Sequence, residues 1–397
     1  MKVNLFSRID FRPVLFALAL VPALSAQTAS PDLEKAHRLS AQAQYEEAKQ
    51  IYKSWLDQHP EDAKVCFSYG YTLYLQAGAE TDKTKATALR KQAFVWVTKA
   101  QKGGDTEALI SFLLRKIDAE GNERPTVYSA DPKADALMAQ GEQAFARHDL
   151  DRALQCYQDA LAADHLNYYA ALFSGDVYYK KEEYGKAIEW FSKAVGINPD
   201  IETAYRYWGD VLRRQHRLAE ARDKYIEAVV AEPYNQMSRE MLERFANLAS
   251  TPLKHPEVKL PMVKIENNEG KTAIGYDPDS GPLVLAYALT RAKWRVDDSR
   301  HYFPKDWSPR HSLPEEASGL RVFCDTFDAM APKDADNTKY WETTVAALKS
   351  LDQAGLLEAY ILLDRADSGI AKDYEAYRLE HRDLLLRYAH EVWFANK

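Results

Sequence analysis

Between residues 134 and 235, small, aromatic and apolar positions return in a fixed phase. The segments beginning at Ala134, Tyr168 and Glu202 start 34 residues apart (168 − 134 and 202 − 168). The eighth position of each is glycine: Gly141, Gly175 and Gly209. The twentieth is alanine (Ala153, Ala187, Ala221), the twenty-fourth aromatic (Tyr157, Phe191, Tyr225), and the twenty-seventh alanine again (Ala160, Ala194, Ala228). Each segment closes near His165, Pro199 or Pro233. The pattern predicts three hairpins of two antiparallel helices, each helix about 13 residues long. The helices approach closely where the residues are tiny, and the aromatic fills the space between one hairpin and the next. A proline lacks an N–H and stops the second helix. Three unrelated amphipathic hairpins would not keep these positions in phase, and one hairpin alone cannot bury its apolar face, so the hairpins must stack.

Upstream the spacing continues with irregularities. Ala48, Tyr52 and Pro60 occupy the alanine, aromatic and proline slots of an earlier hairpin, from about residue 31 to 62. Cys66, Tyr69, Gly70 and Leu73 open another, and an insert at 78–83 delays its second helix until Ala93, Val97 and Ala100. One more short helix is predicted over 107–118. Residues 122–133 read as a linker. Past Pro233, the residues Met237, Met241, Leu242, Phe245 and Leu248 recur at helical spacing, as a capping helix over 236–250 would require.

This signature resembles the tetratricopeptide repeat family. The resemblance implies a mostly α protein: a right-handed helical-hairpin solenoid followed by a smaller, mainly helical α+β module over 251–397. The expected layout is a leader at 1–26, irregular hairpins at 27–121, the linker, three regular repeats at 134–235, and the cap. In this family the first helix of each hairpin lines the concave face. That places Phe67, Tyr71 and Tyr74 there from the irregular region. The regular repeats add Met138, Glu142 and Phe145; Tyr169, Leu172, Asp176 and Tyr179; and Arg206, Asp210, Arg213 and Arg214. Relatives that hold acidic chaperone tails use a Lys/Asn/Arg clamp at such positions. Met138, Glu142, Leu172 and Asp176 replace it here, so an amphipathic helix or extended peptide suits this groove better.

The C-terminal module matches no pattern we recognise. Residues 262–265 and 272–276 flank an Asn- and Gly-rich turn and predict a β-hairpin. Pro282 opens a helix through Trp294. Ser312-Leu313-Pro314-Glu315 resembles a capping box that starts a helix to about Met330. Helices are also expected over 340–354, with Gly355 as its stop, and over 374–394.

Charge and composition narrow the function classes. The chain's 52 Lys and Arg stand against 59 Asp and Glu, for a net charge of −7. They are interspersed, which gives no basic footprint for nucleic acid. Lys2, Arg8 and Arg12 precede the apolar run 14–21 and the small residues 23–26. The run is too short to cross a bilayer, so it predicts a cleavable signal cut after Ser25 or Ala26. The mature chain is then expected in the periplasm or outside the cell, with no integral membrane span. Its three cysteines, Cys66, Cys156 and Cys324, lie far apart and are expected as buried free thiols rather than a disulfide framework.

Catalytic chemistry has one candidate location, Asp297-Asp298-Ser299-Arg300-His301 with His311 nearby. No hydrolase, phosphate-loop or metal motif surrounds it, and a solvated loop with local Asp–Arg pairing is the simpler reading. His148, His165 and His216 fall in turns between helices. The sequence therefore predicts a scaffold that binds a protein or peptide, with no catalytic residue, metal or cofactor. Its competitor is an enzyme whose site lies in residues 255–397, with the repeats as docking arm. The sequence leaves the oligomeric state open.

Overall fold

The structure is a computed structural model that describes residues 30–104, 108–124, 126–260, 262–268, 271–298, 310–330 and 339–395. The expected leader and residues 299–309 of the candidate catalytic loop lie outside the described residues. The chain divides into two compact parts, residues up to Val127 and residues from Tyr128 onward.

The first part holds α1 (Pro31–Ala41), α2 (Tyr45–Gln58), α3 (Ala63–Ala79), α4 (Lys83–Lys102) and α5 (Ala108–Lys116). Asp62 and Asp82 set the starts of α3 and α4 by accepting hydrogen bonds from first-turn amides, which otherwise lack partners. The insert lengthens the hairpin without spoiling its seam. Ala93, Val97 and Ala100 are all fully buried, and Gly70 lies against Val97. After α5 the chain doubles back at Gly121 (φ +84), where any Cβ would meet the Thr87 carbonyl oxygen at 2.2 Å. Arg90 secures this return by donating to the Gly121 carbonyl at 2.8 Å.

The second part opens with six helices in three hairpins: α6 (Pro132–Ala146) with α7 (Leu150–Ala163), α8 (Tyr168–Lys180) with α9 (Tyr184–Ile197), and α10 (Glu202–Arg214) with α11 (Leu218–Ala231). α12 (Gln236–Leu248) follows as the cap. Asp131, Asp149, Asn167 and Asn235 cap their helices with side-chain oxygens. The glycine of each repeat lies under the ring of its own second helix. A Cβ on Gly141, Gly175 or Gly209 would stand 2.4, 2.5 or 2.9 Å from Tyr157, Phe191 or Tyr225. The same rings reach the next first helix, with centroids 5.6 Å apart for Tyr157–Phe173 and 5.9 Å for Phe191–Tyr207. The aromatic thus closes its own hairpin as well as the gap to the next, a double role the sequence reading had reduced to the second.

Beyond the cap come β1 (Lys264–Asn268) and β2 (Lys271–Gly275), an antiparallel pair with Ile265 opposite Ile274. Then follow α13 (Gly281–Lys293), α14 (Leu313–Met330), α15 (Glu342–Gln353), α16 (Leu357–Tyr360) and α17 (Tyr374–Tyr388). Wide π-type turns extend α13, α16 and α17. The expected capping box at Ser312 does not form. The Ser312 hydroxyl is buried without a partner, and the first-turn amide of Leu313 donates to Asp373 at 2.7 Å. Glu315, the would-be return partner, is drawn away by two arginines.

One core cluster joins the last repeat, the cap and the C-terminal helices. Tyr225, Val229, Val230, Leu242 and Phe245 of the last repeat and cap join Val284, Leu320, Phe323, Leu348, Leu385 and Tyr388 in one cluster. Polar links cross the same seam. The Tyr374 hydroxyl donates to the Val230 carbonyl at 2.6 Å, Tyr234 to that of Leu362 at 3.0 Å, and Arg239 to that of Leu363 at 2.6 Å.

Candidate functional site in the repeat groove

The first helices α6, α8 and α10 each present a carboxylate at the ninth repeat position: Glu142, Asp176 and Asp210. Two of the three are served from inside their own hairpin. The Tyr157 hydroxyl donates to Glu142 at 2.5 Å, and the Tyr225 hydroxyl to Asp210 at 2.7 Å. In the middle repeat the corresponding ring is Phe191, which has no hydroxyl. Asp176 Oδ1 is buried there and accepts no hydrogen bond.

Electrostatics follow from this arrangement. Burial, and then the neighbouring Glu142 charge, push the Asp176 carboxyl well above its ordinary range; Arg206 and Lys180 oppose that push only in part. Burial also raises Glu142, against hydrogen bonds from Tyr157 and Tyr128 that favour its charged form. Arg206 is committed to Glu202 through contacts of 2.8 and 3.2 Å and lies over the Tyr207 ring at 4.8 Å. Arg213 pairs with Asp210 at 3.5 Å, while Arg214 covers the ring of Tyr179 at 5.1 Å.

The residues expected on the concave face divide. Tyr169, Asp176, Arg206, Asp210, Arg213 and Phe145 keep accessible surface, and Tyr169 is the most open at 41%. Met138 is wholly buried and Tyr179 nearly so, as is Leu172. These side chains belong to the packing between helices, where burying apolar surface outweighs display. Phe67 is likewise core in the first part, stacked on Tyr71 with centroids 5.8 Å apart, and Tyr71 and Tyr74 are half-buried beside it. Three residues that the sequence does not place at the groove matter here. Tyr128, from the linker, lies edge-on to Tyr169 at 5.8 Å and to Phe173 at 5.7 Å, so the chain itself occupies one end of the groove. Phe191 and Tyr207 shape the surroundings of Asp176. The Tyr–Phe–Tyr alternation at the twenty-fourth position was the available signal for Phe191.

A second polar cluster lies in the C-terminal helices. Arg291 and Arg295, one turn apart, grip the two oxygens of the fully buried Glu315 at 3.0 and 2.9 Å. Glu316 accepts from the Tyr287 hydroxyl at 2.8 Å. His311 lies between carboxylates, with Nε2 2.9 Å from Glu316 and Nδ1 2.6 Å from Asp367. Burial alone would lower the imidazole pKa; the hydrogen bonds to Asp367 and Glu316 outweigh it and raise the group. Both ring nitrogens are engaged, so His311 offers neither to a substrate, and the geometry is that of a buried structural network. Side-chain placement at Asp297 and Asp298, and all of 299–301, lie outside the described residues. Among the described residues, no group of three or more His, Cys, Asp or Glu is placed to hold a metal ion. No described helix is long and apolar enough to cross a membrane. All three cysteines are free and buried.

Comparison with known proteins agrees with the repeat geometry. The tetratricopeptide repeat family profile matches residues 138–202. A DnaJ homolog subfamily C member 7 homolog from Schizosaccharomyces pombe is 26% identical over 213 residues, 51% of this chain and 42% of that protein. The match therefore spans less than half of that relative's length. Among solved structures, the first TPR of Spaghetti (RPAP3) bound to HSP90 peptide SRMEEVD is 22% identical, covering 32% of this chain and 99% of that one, with a TM-score of 0.29. The Sgt2 TPR domain from Aspergillus fumigatus is 21% identical, covering 32% and 85%, with a TM-score of 0.29. The chain carries tetratricopeptide repeats, and its C-terminal module is not recognised.

Proposed function

We propose that this protein is a non-enzymatic scaffold that holds a peptide segment of a partner protein along the first helices of its three regular repeats. The observation that carries this reading is the run of partly exposed side chains on α8 and α10, the first helices of adjacent repeats, from Tyr169 through Asp176 and Arg206 to Asp210 and Arg213. Tyr offers a large contact area with few rotors to freeze, and the charged groups supply direction and register. The basic residues, apolar run and small residues of 1–26 support work outside the cytoplasm, in the periplasm or beyond the cell, after cleavage. A mature N-terminus sequenced after Ser25 or Ala26 is the expected mark of that export.

Site-specific photo-crosslinking tests the groove. A crosslinker at Tyr169 or Arg213 should trap a partner that one at Glu189, exposed on a second helix, does not. Tyr169→Ala should weaken binding of the trapped partner by about 1–3 kcal/mol and leave helicity intact. Equal trapping from all three positions would remove the groove from consideration.

A further inference from the structure

The three repeats act as an internal comparison, because each sets a carboxylate at position nine against the ring at position twenty-four, and only the middle ring lacks a hydroxyl. In the first and third, the carboxylate at position nine receives the tyrosine hydroxyl of its own second helix. In the middle repeat Phe191 cannot donate, and Asp176 Oδ1 is left buried and unpartnered. An unsatisfied buried acceptor is a standing cost, larger for a charged group. Arg206 and Lys180 are close enough to act on this carboxylate electrostatically, yet neither donates to Oδ1, and Arg206 is already held by Glu202. Asp176 itself is partly exposed. It stands seven residues after Tyr169, two helical turns along the same face, so its accessible part faces the groove while Oδ1 is itself covered.

We propose that Asp176 is the receptor for one basic side chain, a lysine or an arginine, carried by the peptide segment that the groove holds. This rests on the groove reading above. A cation fits better than a neutral donor because Asp176 stands beside a second carboxylate, Glu142, and the two repel. An ammonium or guanidinium group supplies several donors and offsets that repulsion, where a hydroxyl supplies one donor and no charge. Tyr207, partly exposed beside the site, offers ring surface suited to the alkyl stem of such a side chain. The groove is thereby the inverse of one built to clamp an acidic tail.

The test is selection of a displayed random dodecapeptide library on the purified protein, on Asp176→Asn and on Phe191→Tyr. The native protein should enrich peptides with Lys or Arg at one fixed position, and Asp176→Asn should lose that preference. Phe191→Tyr supplies the hydroxyl that serves the other two repeats. It should raise the melting temperature and weaken the selected basic peptides at least about tenfold. This variant keeps the proposal testable if Asp176→Asn fails to fold. Peptides enriched without a fixed basic position, or held equally by Phe191→Tyr, overturn the basic-anchor proposal and leave the groove standing. No peptide enriched by the native protein overturns the groove reading and this proposal together.

Discussion

The glycine at the eighth repeat position and the ring of the same hairpin are two halves of one contact. At Gly175 a Cβ would come within 2.5 Å of Phe191 Cε1, closer than carbon atoms pack, and the ring is itself fully buried. Gly175→Ala should therefore destabilise the second part by about 1–3 kcal/mol, and Gly175→Leu by more. Shortening the facing ring in Gly175→Ala/Phe191→Leu should recover some of the loss, as coupled neighbours do. Gly196 supplies the contrast, since nothing lies within 4 Å of its added Cβ. Gly196→Ala in α9 should stabilise by about 0.5–1 kcal/mol, because glycine is a poor helix residue. Urea unfolding of the four variants checks the pattern. Equal effects at Gly175 and Gly196 would mean that the ring contact does not set the repeat.

Each hairpin turns through one residue in the left-handed region, and the repeats place it with the same period. His148, Glu182 and His216 have φ values of 62, 59 and 60° and stand 34 residues apart (182 − 148 and 216 − 182). Such a conformation costs a side-chain-bearing residue about 1–2 kcal/mol. Glu182→Gly should thus stabilise the second hairpin by up to about 1 kcal/mol, read as a shift in urea midpoint with unchanged slope. A loss of stability there would show that the Glu182 side chain contributes more than its backbone strain removes. The sequence reading had assigned His148 and His216 to turns but carried no sign of the strained backbone, because histidine and glutamate are not turn markers. What it read well was whatever tight packing dictates. Gly141, Gly175 and Gly209 and the alanines cannot be larger, so their phase announced the hairpins. The helix at Leu357–Tyr360 and the wide turn after it went unpredicted, for Leu356, Leu357, Ile361, Leu362 and Leu363 are all buried and leave no amphipathic period. Ser312 misled for another reason. The start of its helix is held by Asp373, which accepts from the Leu313 amide 60 residues away, and no local pattern reports a contact of that range. Asp176 was placed on the groove by its position in the repeat. Its missing partner depends on whether residue 191 carries a hydroxyl, which becomes informative only once Tyr157 and Tyr225 are seen to serve their own carboxylates.

The last repeat, the cap and the C-terminal helices share one interior. A solenoid end needs a cap, yet α12 does not close this one alone, since Val229 and Val230 of α11 pack in the same cluster as residues from α13 to α17. The Tyr374 hydroxyl reaches the Val230 carbonyl, Arg378 pairs with Asp200, and Arg382 donates to the Tyr205 hydroxyl at 3.0 Å. The last repeat is therefore braced by α17 on its helices and on the loop before α10. Bracing of this kind couples the stability of the groove to residues far along the chain, because a repeat is held mainly by its neighbours. Tyr374→Phe tests the coupling with little change of shape. It deletes one hydroxyl and leaves the Val230 carbonyl buried without that donor, at a cost of about 1–2 kcal/mol. If the shared core unfolds as one body, native-state hydrogen exchange should quicken together in α11, α14 and α17. Should α17 alone lose protection while α8 to α11 keep theirs, the repeats stand by themselves and the C-terminal helices are an attachment rather than part of the same cooperative fold.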